Sequence, residues 1–372
     1  MNRSNVLEIK KTLKMSEELI PSIDCICTCL VNGNKQKLLS NTERFINLDL
    51  EEQFKYIEIL KNTLTGIIDK KLLNLEYTVA QADKQKVMAE THAKLFTDNT
   101  KRDEFFDQLI ANYEFGENYL IVIGHGVYDV PLKASDGAKL EDETETYDFM
   151  ITAICPVHST KAGLTYDPKT GRMVSSKQVQ IVEAPINGFL YPAFNDRQSD
   201  LSGLLYFTKK PEEQHPELIE SLLGVPAPTS SVDQQKIFEN IIAEVTDDRA
   251  DFDTIKELHE VLQQKTAEMS DVDNILDKED LKSILAESGV PNAKLDDFDH
   301  IYERAGGTDT TTFKPANLIT LDKFNVKNPD IEIKIKPEKT GLIEKKQVDG
   351  KNCIVVTLEG DIKLNGIQVS GV

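Results

Sequence analysis

The chain has 372 residues, 40% of them hydrophobic and 28% charged, with a formal net charge of −20. That length holds two or three domains with buried cores. No apolar run approaches the ~20 residues that span a bilayer as a helix, so no membrane contact is expected. The acidic excess is uneven: residues 211–305 carry 24 Asp/Glu against 8 Lys/Arg, whereas residues 323–372 carry 9 Lys against 7 Asp/Glu. Binding to a phosphate backbone depends on Lys and Arg, so the acidic middle disfavours it. Such a section suits a solvated helical face or a surface that docks a basic partner. The N-terminus lacks an uninterrupted apolar core and a small-residue cleavage site. Together with an odd count of five cysteines, this points to reduced thiols and a cytoplasmic location.

In chain order, Val6, Ile9, Leu13 and Leu19 predict a helix over 5–19 that Pro21 stops. Residues 23–31 alternate as a strand and turn at Asn32-Gly33-Asn34. A second helix over 49–65 carries Leu50, Phe54, Ile57, Leu60 and Leu64 on one face. Residues 80–113 continue as helix with a break near 97–100. A β-rich section follows, with strands at 118–128, 147–156, 172–184, 188–194 and 203–208. The first of these is expected to end at the glycine pair around His125. Turns fall at Asp136-Gly137, Asp167-Pro168 and Asn187-Gly188. No helical pattern between 156 and 171 is long enough for a parallel crossover, so the sheet should be mostly antiparallel and the fold class α+β.

Beyond residue 210 the pattern is helical, with helices at 212–223, 232–245, 252–269, 278–288 and 294–305. Strands at 331–337, 343–348, 353–358 and 361–369 close the chain as a small β module. The expected domains are therefore 1–210, an α+β domain centred on the strand 118–128; 211–307, acidic and helical; and 321–372.

Few residues offer chemistry. Cys25, Cys27 and Cys29 project from one face if 23–31 is a strand, but zinc ordinarily needs a second ligand pair, so packed core thiols are the better reading. His125 and Asp129 form a candidate catalytic pair that Asp136, Asn195, Asp196 and Arg197 could join. Residues four apart along a strand are about 13 Å apart, too far to share a proton. Asp196 and Arg197 also suit turn and ion-pair contacts. The nucleophile-elbow, phosphate-loop and dinucleotide patterns are missing, and the six histidines are scattered at 92, 125, 158, 215, 259 and 300. Asp271, Asp273 and Asp277 begin like a calcium loop, but Leu276 and Lys282 stand where glycine and a bidentate acid are required. No cofactor is implied.

Residues 118–137 (N-Y-L-I-V-I-G-H-G-V-Y-D-V-P-L-K-A-S-D-G), Cys155-Pro156-Val157, residues 188–200 (G-F-L-Y-P-A-F-N-D-R-Q-S-D), residues 287–291 (E-S-G-V-P) and residues 331–338 (I-E-I-K-I-K-P-E) form an ordered set. In this set the chain resembles an uncharacterised Firmicutes family known as a domain of unknown function, number four-three-one-seven. The resemblance implies a cytosolic protein and carries no catalytic residues. The lysine-alternating strand 331–337 and the hairpin after it are also similar to bacterial nucleoid-associated proteins, which implies association with DNA or DNA-handling enzymes. Together these observations lead to the expectation of a non-enzymatic protein-binding or regulatory factor. The alternatives are a nucleoid-associated protein and a hydrolase or nuclease with its site near His125.

Overall fold

The computed structural model describes residues 1–15, 21–133, 139–247, 249–268, 275–319, 323–364 and 366–369. The chain divides into two compact units, Met1–Ala227 and Pro228–Val372. In class it is α+β.

The first unit is built on an antiparallel sheet. Its strands are β1 (Ile23–Val31), β2 (Lys37–Arg44), β3 (Leu72–Glu76), β4 (Tyr119–Lys133), β5 (Lys139–Ser159), β6 (Gly163–Asp167), β7 (Arg172–Ser176), β8 (Gln180–Val182), β9 (Asn187–Tyr191), β10 (Ala193–Asn195), β11 (Gln198–Asp200) and β12 (Gly203–Thr208). The main sheet runs β2-β1-β4-β5-β9-β12-β3, and β8 adds to β5. The pairs β6–β7 and β10–β11 stand apart as hairpins. The helices are α1 (Arg3–Thr12), α2 (Leu50–Thr63), α3 (Ala82–Leu95) and α4 (Asn99–Ala111).

Side chains alternate across a strand, and here both faces of the sheet are covered. Ile121, Ile123, Met150 and Ile154 pack with Met88 and Leu95 of α3 and with Phe105, Phe106 and Leu109 of α4. Val122, Tyr147, Phe149 and Ile151 pack on the other face with Val6 and Ile9 of α1 and Ile57 and Leu60 of α2.

Several expectations need correction. The strand β4 does not stop at Gly124 and Gly126 but runs through them to Lys133. The first helix closes at Thr12, and part of its expected range lies outside the described residues. Leu50 and Phe54, expected on the buried stripe of α2, remain 62% and 46% exposed, because the helix dips into the core only from Ile57 onward. β3 is paired along β12 although no strand was expected there. The helix expected over 212–223 starts later, at 216, and is wound as one wide π-helical turn over Leu218–Leu223 that Gly224 ends at φ 75°. That turn buries Leu218, Ile219 and Leu223 in the core of the first unit.

The second unit has helices α5 (Ser231–Val245), α6 (Phe252–Glu268), α7 (Lys278–Glu287), α8 (Asn292–Leu295), α9 (Phe298–Arg304) and α10 (Pro315–Leu318) around one apolar core. The last expected helix is thus divided into α8 and α9. Three hairpins follow: β13 (Phe324–Lys327) with β14 (Glu332–Ile335), β15 (Ile343–Val348) with β16 (Lys351–Val356), and β17 (Ile362–Leu364) with β18 (Ile367–Val369). Phe324, Ile335 and Ile343 form a small core against Phe252 at the start of α6. Thr340 donates to Glu260 at 2.6 Å.

Candidate functional site

Four residues from four elements meet on the α3 face of the sheet. His125 shares that face of β4 with Ile121 and Ile123. Asp148 reaches it from β5, where Met150 is the residue directly opposite His125; Asp148 is the diagonal neighbour, two residues along. His92 comes from α3, four residues after buried Met88 and three before buried Leu95, so helical spacing turns it inward.

Asp24 arrives through an irregularity in β1. Ile23 pairs with Gly126 and Cys25 with His125, so two steps on β1 match one on β4 and Asp24 is the extra residue of a β-bulge. In a regular ladder Asp24 would share the face of Ile26; the bulge turns it to His125 instead.

Asp24 Oδ1 lies 2.5 Å from His125 Nδ1, and Asp148 Oδ1 lies 3.0 Å from His125 Nε2. His92 Nε2 is 3.2 Å from the same Asp148 oxygen but off the hydrogen-bonding direction, so this buried nitrogen has no hydrogen-bond partner. The His92 and His125 side chains are 10% and 15% exposed, against 56% for Asp148. Phe96 packs on His125 with ring centres 4.4 Å apart, and Tyr191 meets His92 edge-on at 5.8 Å.

Burial alone would favour neutral His125, but hydrogen bonds to Asp148 and Asp24 outweigh it and push the pKa up to about 9. Burial alone would likewise raise Asp148, yet the two imidazoles hold it well below the usual carboxylate range. His92, His125 and Asp148 each offer a ligand atom, all within 4.8 Å of one another, and they can hold a metal ion.

Asp24 and His125 line a cleft of about 1030 Å³. Its walls are mainly apolar, with Met15, Ile23, Phe45, Ile46, Phe96 and Val127, and Arg44, Glu43 and Cys25 add polar groups. A large apolar cleft with a few converging polar groups is the usual form of a small-molecule site.

The other candidates lie elsewhere. Asp129 continues along β4 and accepts from Thr146 at 3.3 Å. Asp196 and Arg197, at φ 49° and 62°, form the two-residue turn between β10 and β11. Arg197 pairs with Glu8 at 2.6 Å and donates to the Pro131 carbonyl at 2.8 Å, on the sheet face opposite His125. Asn195 donates to Asp200 at 2.7 Å. Asp136, and the Asp271 and Asp273 pair, lie outside the described residues.

Cys27 and Cys29 are buried in the core, and Cys25 is half-buried at the cleft. Burial pushes the Cys29 thiol up to about 11, the state of an inert packed cysteine.

Sequence reasoning missed His92, Asp148 and Asp24. Only His92 left a trace, as a histidine at core spacing in a helix; the others depend on strand register and a bulge.

A family model for a domain of unknown function, DUF4317, matches residues 1–367. The chain belongs to this family. No curated protein matches it. Among the described residues, no helix of the chain is long and apolar enough to cross a membrane.

Proposed function

We propose that the first unit is a hydrolase acting on a small, partly apolar substrate held in the cleft at His125. The observation that carries this reading is the placement of His125. It is clamped between Asp24 and Asp148 at the wall of a cleft of about 1030 Å³ that can take an apolar body. In the reaction, water oxygen bonds to the acyl or phosphoryl centre, the bond to the leaving group breaks, and the leaving group departs with a proton. Asp24, Asp148 and the two imidazoles supply proton-transfer and charge-stabilising groups at one point. Five free thiols support a reducing compartment such as the cytoplasm.

The test is turnover of ester, amide and phosphoester panels by the purified full chain. Hydrolysis that falls at least about 100-fold in His125→Gln and persists in Asp196→Asn is the expected result. Turnover indifferent to His125→Gln, or none on any panel, overturns the reading. The protein-binding and nucleoid-associated alternatives predict instead a stoichiometric partner, or retention of DNA by the full chain at low salt.

A further inference from the structure

We propose that His92, His125 and Asp148 bind a divalent first-row transition ion, zinc in the first instance, with Asp24 as the carboxylate that fixes His125. The inference deepens, and rests on, the reading of this cluster as the functional site.

Spacing is the first argument. Zinc–ligand distances to nitrogen and carboxylate oxygen are about 2.0–2.2 Å, so two donors on one ion stand about 3.0 Å apart at a right angle and about 3.4 Å apart at the tetrahedral angle. Asp148 Oδ1 already lies 3.0 Å from His125 Nε2 and 3.2 Å from His92 Nε2. All three donors fall within 4.8 Å of one another. The two Asp148 separations already match a coordination shell, and the two imidazole nitrogens would have to draw together to about 3.4 Å to complete it.

The second argument is the orphaned nitrogen. His92 is nine-tenths buried, and its Nε2 points at the cluster with no hydrogen-bond partner. A buried polar atom without a partner is costly, and an ion between the three donors would satisfy it. Third, metal-ligating histidines usually donate their other ring N–H to a carboxylate, which fixes the tautomer. Asp24, brought by the β-bulge to 2.5 Å from His125 Nδ1, occupies that place, and an ion would take the position of the proton now shared between Nε2 and Asp148.

Two imidazoles and one carboxylate suit zinc, iron or nickel better than magnesium or calcium. Three protein ligands leave a position for water or substrate, the pattern of catalytic rather than structural zinc. A bound ion would lower the pKa of such a water to about 7.

The experiment takes the chelator-stripped full chain through equilibrium dialysis against zinc chloride with elemental analysis, and records visible spectra with cobalt(II). Expected are one zinc per chain and cobalt ligand-field bands without thiolate charge transfer. Zinc should be lost in the His92→Gln/Asp148→Asn variant and kept in Cys25→Ser/Cys27→Ser. Asp24→Asn, as a positioning change, should keep the stoichiometry and weaken affinity about 10–100-fold. Circular dichroism checks the fold of each variant; the cobalt spectrum of the unaltered chain decides the donor set even if a variant fails to fold.

Wild-type uptake no greater than that of the double variant overturns the proposal, and so does a cobalt–thiolate spectrum. Zinc uptake without turnover leaves the metal site standing and removes hydrolysis. Turnover unaffected by chelation with no zinc uptake does the reverse.

Discussion

Ile23 and Ile26 face the same core although an odd number of positions separates them, and Asp24 is the residue that makes this possible. Inserting one residue into β1 flips the parity of everything before it, so Ile23 stays buried while Asp24 crosses to His125. The pair is half open, with Asp24 60% and His125 15% exposed. Its coupling in the metal-free chain should therefore be about 1 kcal/mol, below the usual range for charge-assisted hydrogen bonds and at the upper end of that for exposed ion pairs. A urea double-mutant cycle of Asp24→Ala and His125→Gln measures it. Additive effects would mean the contact does not form.

Gly124 and Gly126 flank His125 but serve the opposite face. A methyl group on Gly126 would sit 2.4 Å from the Phe149 ring and 2.6 Å from the Ser22 carbonyl oxygen, and that backbone oxygen cannot swing away. At Gly124 the nearest atom is the end of the flexible Leu60 side chain, at 2.5 Å. Gly126→Ala should then cost about 2–3 kcal/mol and Gly124→Ala less, by the usual range for overpacking. Equal melting-temperature losses would count against this account.

These glycines also show what the sequence could convey. Glycine beside a polar residue resembles a strand end, yet here it thins the strand so that α2 and Phe149 can approach while β4 continues. The central strands and most helices were legible because their apolar periods match their environment: 203–208 was expected and observed as Gly203–Thr208, whereas the exposed stretches 172–184 and 361–369, each expected as one strand, are each two. Among the strands not expected, which include β6 and β13, β3 (L-L-N-L-E) is too short to separate from a loop, and only pairing with β12 defines it. His125 was singled out from the sequence because its glycines resemble a strand end, which β4 does not have there. Its partners were not, because Asp148 depends on the β4–β5 register and Asp24 on a bulge.

His215 gives a pH test away from the cluster. Burial holds its pKa below the ordinary 6.5, with Glu217 and Glu213 opposing weakly, and its ring packs on Tyr113 at 4.4 Å. The unfolded ring thus takes up a proton at higher pH than the folded one. The stability this ring contributes is present above pH 6.5 and is lost as pH falls from there toward the folded value. Asparagine tolerates the backbone φ of 54° at this position. Urea unfolding of His215→Asn and wild type should show the wild-type advantage shrinking between pH 7 and pH 5.5. A pH-independent difference would contradict the sign of the shift.

Asn187 tests how the segment after β12 is tied to the sheet. The residue is 2% exposed. It accepts from Tyr113 Oη at 2.8 Å and donates to Tyr206 Oη and the Glu213 carbonyl, each at 3.3 Å. Tyr206 in turn donates to the Gln214 carbonyl at 2.6 Å. Asn187→Leu keeps most of the volume but strands the Tyr113 hydroxyl, at a cost of about 1–3 kcal/mol for a buried group left unpaired, while the Glu213 carbonyl keeps its bond from Thr208 Oγ1 at 3.0 Å. Removing that hydroxyl as well, in Tyr113→Phe/Asn187→Leu, should recover part of the loss, because two shape-matched apolar groups are cheaper than one orphan. Amide exchange over 213–223 should quicken only modestly in the single variant, since Thr208 still donates to the Glu213 carbonyl at 3.0 Å and Tyr206 to that of Gln214. If the double variant instead loses the sum of the two single effects, the hydroxyl and the amide are not partners.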